Sequence, residues 1–266
     1  MAVTSRERRS EILRLATTTG LASVEELAVA MGVTASTIRR DLTVLTSQGH
    51  LARTYGGAMA LLRHPEASLR QRTGVAFHAK RAIGRWAAAQ VKPGETILLD
   101  AGSTTGAMAH ELAHAKNITV ATVGLTALEE LAYAKGVEVL CLGGRVRPLS
   151  QGFVGPLTEA ALDRMTFDRV FMGADGVSAE RGICEADLEQ TRLKELMVRQ
   201  SNVTYVLAHS AKLGQHPFHA WARMPQQWTL VTDGAADSTE LARFRDCGIS
   251  IVVVDENAPP REAASC

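Results

Sequence analysis

The stretch TASTIRRDLTVL, residues 34–45, decides how the N-terminal part of the chain folds. Ile38, Leu42 and Leu45 recur at spacings of four and three, so they share one face of an α-helix. Thr34 is placed to cap the start of that helix. The opposite face begins with hydroxyl groups and guanidinium groups, carried by Ser36, Thr37, Arg39 and Arg40. Such groups match base edges and phosphates along a DNA major groove, so the pattern predicts a recognition helix.

Two further helical segments precede this stretch. Residues 8–16 carry apolar side chains at helical spacing. Ser23 and Glu26 have the spacing of a capping box, and they predict the start of a helix over 24–31. Gly32 is expected to end that helix and to form a tight turn. The three segments together predict a helix-turn-helix.

Residues 51–58, LARTYGGA, follow Gly49 and predict a short strand with a glycine turn, which would form a wing. From such a wing, Arg53 and Tyr55 would contact the DNA backbone or the minor groove. The alternative is a small helical packing module whose arginines are only solvated. Helix, glycine turn, basic helix and wing occur together, and this combination favours DNA binding.

The charge of the chain is unevenly distributed. Residues 1–90 contain 13 Lys/Arg and 6 Asp/Glu, whereas residues 91–266 contain 16 basic and 22 acidic residues. The distribution suggests that only the N-terminal part meets a polyanion.

The length allows a small domain and a medium-sized one, and the composition is that of a globular protein. Of the 266 residues, 46% are hydrophobic and 21% are charged. We expect a winged helix-turn-helix over 1–58, a linker over 59–79, a sensor and oligomerisation domain over 80–256, and a flexible tail over 257–266.

Membrane insertion and a metal site are not expected. No apolar run reaches the roughly 18 to 20 residues of a membrane span, and the charged N-terminus does not resemble a signal peptide. The cysteines occur singly, without metal-binding spacing, which favours reduced thiols in the cytoplasm. They are Cys141, Cys184, Cys247 and Cys266.

The second domain alternates apolar strands with helices, and this alternation predicts an α/β fold with a mainly parallel sheet. The predicted strands are 96–99, 118–123, 137–142, 169–172, 203–208, 229–231 and 249–254. The predicted helices are 80–89, 104–113, 125–134, 157–164, 186–200 and 238–245. Ligands of such sheets bind at the carboxyl ends of the strands, so the loops there are the candidate site.

Three loops at strand ends carry the chemistry of a ligand site. The loop DAGSTTG, 100–106, leads into a helix, where backbone N–H groups and hydroxyls can hold a phosphate. The alternative is an ordinary turn that Ser103 or Thr104 caps. The loop 142–145 adds two glycines and a guanidinium, and the loop 173–176 adds a carboxylate suited to sugar hydroxyls.

The motifs of both domains resemble those of the DeoR family of bacterial regulators, and the resemblance covers nearly the whole chain. In the first domain it rests on SVEELA (23–28), GVT (32–34), TIRRDL (37–42) and YGGA (55–58). In the second domain it rests on the three loops. It implies a sensor domain similar in fold to ribose-5-phosphate isomerase, with a pocket for a phosphorylated sugar. The implied pocket residues are Asp100, Gly102, Ser103, Thr104, Thr105, Gly143, Gly144, Arg145, Asp175, Gly176, Lys194 and Lys212.

Three positions depart from the family pattern. Val123 stands where an asparagine is usual, Arg192 where an acidic residue is usual, and His209 where an aspartate is usual. Arg192 and His209 are expected to make the pocket more positive, so they are added to the candidate effector site. Either the effector carries extra negative charge, or the pocket mouth has drifted without consequence, with Arg192 paired to Glu189 or Glu195.

The sequence thus predicts a repressor that binds double-stranded operator DNA as a homodimer or homotetramer and that a phosphorylated sugar controls. Neither a cofactor nor a catalytic residue is expected. One alternative is a sugar-phosphate isomerase with an accessory DNA-binding domain, and another is an activator or architectural DNA binder without an effector. The sequence leaves open the sugar, the operator and the sign of regulation.

Overall fold

The computed structural model describes residues 4–5, 7–12, 22–47, 51–54, 57–60 and 66–255. The chain divides into two compact units, Met1–Glu66 and Ala67–Cys266.

The first unit is a winged helix-turn-helix. Its elements are α1 (7–12), β1 (Ala22–Ser23), α2 (Val24–Met31), α3 (Ala35–Ser47), β2 (Leu51–Thr54) and β3 (Gly57–Ala60). The three strands form an antiparallel sheet in the order β1-β3-β2. The sequence analysis did not predict β1.

The core of this unit confirms the predicted apolar stripe. Ile38, Leu42 and Leu45 on α3 are all buried, and they pack with Ile12 and Leu27 of the preceding helices. The stripe leaves the opposite face of α3 to solvent.

The second unit is an α/β domain. Its helices are α4 (Leu69–Gly74), α5 (Phe77–Ala88), α6 (Ser103–Leu112), α7 (Leu125–Leu131), α8 (Pro156–Leu162), α9 (Leu188–Arg199) and α10 (Ser238–Asp246). The strands of its main sheet are β4 (Thr96–Leu99), β5 (Ile118–Thr122), β6 (Val137–Cys141), β9 (Phe167–Met172), β12 (Ser201–Leu207), β14 (Thr229–Asp233) and β15 (Ser250–Val254). This sheet is parallel throughout, in the order β15-β14-β12-β9-β4-β5-β6, as the alternation predicted.

Two small antiparallel sheets were not predicted. Their strands are β7 (Arg145–Arg147), β8 (Gly152–Val154), β10 (Gly176–Ser178), β11 (Gly182–Glu185) and β13 (Ala220–Ala222). Each is only three or four residues long, too short to show a clear alternation in the sequence.

The main sheet is buried on both faces. On β4, Leu98 packs into the hydrophobic core on one face, whereas Ile97 and Leu99 pack into the core on the other. This explains why β4 is apolar from Ile97 to Leu99. No helix in the described ranges combines the length and the hydropathy that a membrane crossing requires.

The segment 59–79, predicted to be a linker, contains helical structure. Helix α4 lies wholly inside it and α5 begins there, at Phe77. Ser68 and Gln71 form a complete capping box at the start of α4. That local signal was missed because α4 is too short to show an apolar period.

Candidate functional site

The start of α3 presents polar groups to solvent. The hydroxyl of Thr34 accepts a hydrogen bond from the backbone N–H of Thr37 at 3.3 Å, and it lies 2.9 Å from the Ser36 hydroxyl. Thr34 therefore occupies the capping position that the sequence predicted. Arg39 and Arg40 are exposed one turn further along.

Asp41 faces the opposite way from these arginines. Its carboxylate is buried and pairs with Arg8 at 2.6 Å and with Arg9 at 3.7 Å, so it ties α3 to α1. Arg53 lies on β2, and its side chain is outside the described part of the structure, as is the whole of Tyr55. The DNA-binding roles assigned to these residues remain predictions.

The candidate effector site lies at the carboxyl edge of the parallel sheet. Asp100, Gly173 and Ala208 directly follow β4, β9 and β12, which are neighbours in the sheet. Parallel pairing therefore brings together three loops that are far apart in the sequence.

Asp100 and Lys194 form the buried centre of this edge. One carboxylate oxygen of Asp100 accepts the backbone N–H of Ala101 at 2.8 Å. The other accepts the backbone N–H of Gly173 at 3.1 Å and the ammonium group of Lys194. Both side chains are thus committed to joining the ends of β4 and β9.

Lys194 also binds Glu185 on β11 at 3.0 Å and donates to the carbonyl of Gly173 at 2.7 Å. Burial raises the pKa of Glu185, and the charge of Lys194 only partly offsets that effect. Although burial opposes it, the charges of Asp100 and Glu185 raise the pKa of Lys194. The network therefore has one fixed cation between two carboxyl groups.

The N-terminus of α6 has no side-chain cap. Gly102 occupies the capping position and offers no side chain, as at the equally uncapped α5, α7 and α8, whereas side chains cap α4, α9 and α10. Thr105 uses its hydroxyl to bind the carbonyl of Gly102 at 3.1 Å. The ordinary turn capped by Ser103 or Thr104 is therefore not what the loop forms. The backbone N–H groups of 102–104 find no acceptor within the described residues, and together with the helix dipole they favour an anion.

Two lysines with no carboxylate partner lie at the same edge. Lys80 on α5 is only 3% exposed and donates to the carbonyl of Arg72. Lys212 is partly buried and donates to the carbonyl of Ala174. In the described ranges, no carboxylate lies within ion-pair distance of either ammonium group, and we call these two residues the lysine pair. Buried charges are ordinarily paired, so the lysine pair marks a place for an anion.

The pKa values of the lysine pair reflect this lack of partners. Burial lowers the pKa of Lys80 to about 8, and the charges of Lys212 and Arg72 add to the effect. Burial also lowers the pKa of Lys212 to about 8, more than the attraction of Asp175 offsets.

Packing between α5 and α6 places Lys80 near the uncapped helix end. Gly84 on α5 packs so closely on α6 that a Cβ would lie 2.7 Å from the amide nitrogen of Met108. Lys80 and Thr104 each lie one turn earlier on their helices, and both helices begin at the carboxyl edge of the sheet. The ammonium of Lys80 and the N–H groups of α6 therefore lie at the same end of the helix pair.

His209, after β12, lies near the lysine pair, and we call these three residues and Asp175 the cluster. It is buried, and its Nδ1 has no hydrogen-bond partner in the part of the chain that the structure describes. Burial and the charges of Lys212 and Lys80 lower its pKa to about 4. His209 is therefore neutral near pH 7, so relative to an aspartate it removes a negative charge from the site without adding a positive one.

Asp175 joins the same cluster from the loop after β9. One carboxylate oxygen pairs with Arg72 at 2.8 Å. The other is buried and has no hydrogen-bond partner among the described residues. This oxygen is available to accept a hydrogen bond from a ligand hydroxyl.

Other predicted pocket residues lie apart from the lysine pair or are engaged in packing. Arg192 is exposed and pairs with Glu159 at 3.0 Å, so it neither joins the cluster nor pairs with the helix neighbours named as its alternative. Arg145 is exposed and pairs with Glu189. The structure thus gives no support to extra positive charge from Arg192.

The glycines of the two outer loops have packing roles. The carbonyl of Gly143 accepts the hydroxyl of Thr158 at 2.7 Å, and a Cβ on Gly144 would lie 2.1 Å from that hydroxyl. A Cβ on Gly176 would lie 2.2 Å from the carbonyl oxygen of Gln215. The close contacts explain Gly144 and Gly176 without a ligand, and Gly143 has a φ of +65°, a conformation that favours glycine.

Sequence reasoning missed Arg72 and Lys80. A signal for Lys80 was present, because it lies three and seven positions before Ile83 and Ala87, which form the buried face of α5. A lysine on an apolar stripe is unusual enough to mark a site. Arg72 had no such signal.

Comparison with known proteins agrees with this two-domain architecture. Residues 8–63 match the DeoR-like helix-turn-helix domain, and residues 76–234 match the DeoR C terminal sensor domain. The chain is 30% identical to the HTH-type transcriptional regulator GlpR of Haloferax volcanii over 92% of this chain and 96% of that protein. It is 29% identical to the lactose phosphotransferase system repressor of Streptococcus mutans over 85% of this chain and 91% of that protein.

Among solved structures, the chain aligns with ribose 5 phosphate isomerase A from Neisseria gonorrhoeae. The TM-score is 0.37 with 17% sequence identity, and the alignment covers 50% of this chain and 52% of that chain.

Proposed function

Because the chain belongs to the DeoR family of transcriptional regulators, we propose that it represses a carbohydrate-utilisation operon and that a phosphorylated sugar releases it from its operator. The relatives that it matches along most of their length are named as transcriptional regulators and repressors.

The DNA-binding part of the proposal rests on α3. Its buried stripe fixes the helix to the core, and its exposed start carries Ser36, Arg39 and Arg40. A helix held in this way inserts its first two turns into a major groove. A homodimer or homotetramer would present two such helices to operator half-sites.

The effector part rests above all on one observation, which is the lysine pair beside the uncapped N-terminus of α6. The ammonium groups of Lys80 and Lys212 and the N–H groups of 102–104 are all donors. A phosphate bound among them would supply the negative charge that these groups lack.

Recognition of a sugar is assigned to the unpartnered polar atoms around this phosphate site. The carboxylate oxygen of Asp175 that has no partner accepts a hydrogen bond from one sugar hydroxyl, and Nδ1 of His209 forms a hydrogen bond with a second sugar hydroxyl. A ligand with hydroxyls next to a phosphate satisfies both, and satisfying buried polar atoms is worth about 1–3 kcal/mol each.

A thermal-shift screen of phosphorylated sugars, each beside its free sugar, tests this proposal. A ligand at 100 times its Kd stabilises by about 2.7 kcal/mol, so the correct compound should raise Tm clearly. The same samples are assayed for turnover, which would reveal an isomerase. If no phosphorylated sugar raises Tm, the effector part of the proposal is refuted.

A further inference from the structure

Helix α4 is the first element of the sensor unit. It begins at Leu69, close to the boundary between the two compact units, which falls after Glu66. Helix α4 is therefore the helix of the sensor unit nearest in sequence to the DNA-binding unit.

Polar contacts to other elements anchor both ends of α4. At its start, the backbone N–H of Leu69 donates to the carbonyl of Leu149 at 2.7 Å. Near its end, the guanidinium group of Arg72 pairs with Asp175, and the carbonyl of Arg72 accepts the ammonium group of Lys80.

Both anchors near the end of α4 use residues of the candidate effector site. Asp175 carries the oxygen assigned to a sugar hydroxyl, and Lys80 belongs to the lysine pair. The anchor at Leu69 is a bond between backbone groups and uses neither. A ligand in the site would therefore affect the contacts at the C-terminal end of α4 and not the contact at Leu69.

An anion in the site would compete for both of these anchors. The charge of Arg72 is felt by both lysines, whose pKa values it lowers, so its guanidinium group lies near the place where the anion would bind. A phosphate is a stronger acceptor for an ammonium group than a backbone carbonyl is. It would draw Lys80 away from α4 and attract Arg72 away from Asp175.

We propose that the Arg72–Asp175 ion pair and the Lys80 contact form a latch on α4, which binding of the effector phosphate opens. This inference rests on the proposed function, because it takes the same anion site as its trigger. With the site empty, the latch is closed and the protein holds its operator. With the site filled, the end of α4 is released and operator affinity falls.

The latch is tested first by hydrogen exchange of the full chain, with inorganic phosphate as the probe and chloride at equal ionic strength as the reference. Phosphate is expected to slow exchange of the N–H groups at 102–104 and to speed exchange over 72–76 several-fold. Slower exchange at 102–104 with unchanged or slower exchange over 72–76 would overturn the latch while leaving the anion site intact. No change at 102–104, either with phosphate or with the screened sugar phosphates, would refute the anion site and the latch together.

The second test uses Asp175→Asn, which weakens the latch without any ligand. The operator is first selected from a library of random duplexes with the wild-type protein. The Asp175→Asn protein should bind this operator about tenfold more weakly than the wild type does, a loss of about 1.4 kcal/mol in binding free energy. Arg70→Gln removes an exposed charge from the same helix and is the matched control, with unchanged affinity expected. Full operator affinity in a folded Asp175→Asn protein would overturn the latch.

Discussion

Lys194 on α9 donates a hydrogen bond to Asp100 at the end of β4, and both side chains are almost completely buried. Lys194 also pairs with Glu185, so a single ammonium group serves two buried carboxyl groups. This contact fixes the loop from which α6 begins.

The first prediction concerns the stability of this network. Lys194→Met leaves Asp100 and Glu185 buried without a cation, and the free energy of unfolding should fall by about 3–5 kcal/mol. Urea denaturation followed by circular dichroism measures the change. Lys135→Met removes an exposed lysine and should change stability by less than about 0.5 kcal/mol. Equal effects of the two substitutions would refute the structural role of Lys194.

The second prediction is that removing a lysine of the lysine pair, unlike removing Lys194, does not lower the stability of the protein. Lys80→Met removes a buried charge that has no carboxylate partner, so the protein without effector should be at least as stable as the wild type. The same variant should lose most of the rise in Tm that a sugar phosphate produces in the wild type. Thermal shift with and without the sugar phosphate measures both effects. A variant with a clearly lower Tm and a normal response to the ligand would show that Lys80 is a structural residue.

The third prediction concerns pH. The pKa values of Lys80 and Lys212 are about 8 in the folded protein and near their ordinary 10.5 in the unfolded chain. Between these values the unfolded chain binds more protons, so the free energy of unfolding should rise as the pH increases from about 8 to about 10.5. The cost of burying the two charges is fully present below pH 8.

Affinity for the effector should fall over the pH range in which the free energy of unfolding rises. Above about pH 8 the lysine pair loses its charge, so phosphate binding should weaken, as calorimetry at pH 7 and pH 9 can measure. Ordinary exposed lysines would keep their charge and their affinity to about pH 10. Constant affinity across this range would contradict the assignment of the lysine pair to the phosphate.

The fourth prediction concerns DNA. Arg39→Ala or Arg40→Ala should weaken operator binding by about 1–3 kcal/mol if the lost contact is to a base. A lost phosphate contact would instead weaken binding to all sequences alike and reduce its salt dependence. Arg164→Ala, an exposed arginine of the sensor unit, serves as the control in the same anisotropy titration. Unchanged binding after loss of both helix arginines would refute the assignment of α3.

The sequence predicted well those features that local periodicity determines. Ile38, Leu42 and Leu45 share a face because of their spacing alone, and the structure buries all three. The same holds for the main parallel sheet, whose strands and helices alternate regularly. Spacing along a helix would also have separated Arg192 from Lys194, because residues two apart lie about 200° apart around the axis. Since Lys194 faces the core, Arg192 faces solvent.

The meeting of Lys80 and Lys212 could not be predicted in the same way, although Lys212 was a candidate by resemblance and Lys80 lies on an apolar stripe. Lys80 and Lys212 are 132 positions apart in the sequence, and they meet because β4, β9 and β12 are neighbours in the sheet. The order of strands is a long-range property that no local pattern reveals. The lowered pKa of His209 has the same origin, because it depends on burial and on two distant cations.

The fifth prediction concerns Thr104. Thr104→Ala removes one buried hydroxyl at the start of α6 and should weaken the binding of the effector by about 1–3 kcal/mol. Operator affinity without effector should stay near that of the wild type, so the variant would remain on its DNA at effector concentrations that release the wild type. Calorimetry and anisotropy on the same preparation measure the two affinities. Equal loss of both affinities would indicate misfolding rather than loss of a ligand contact.

The central claim is that the phosphate of the effector, held by the lysine pair and the start of α6, releases the protein from DNA. It is tested most directly by fluorescence anisotropy of the wild-type protein on its selected operator, titrated with each sugar phosphate that raises Tm and, separately, with the corresponding free sugar. The account predicts that the phosphorylated sugar dissociates the complex and that the free sugar does not. Dissociation by both compounds at the same concentration would contradict it.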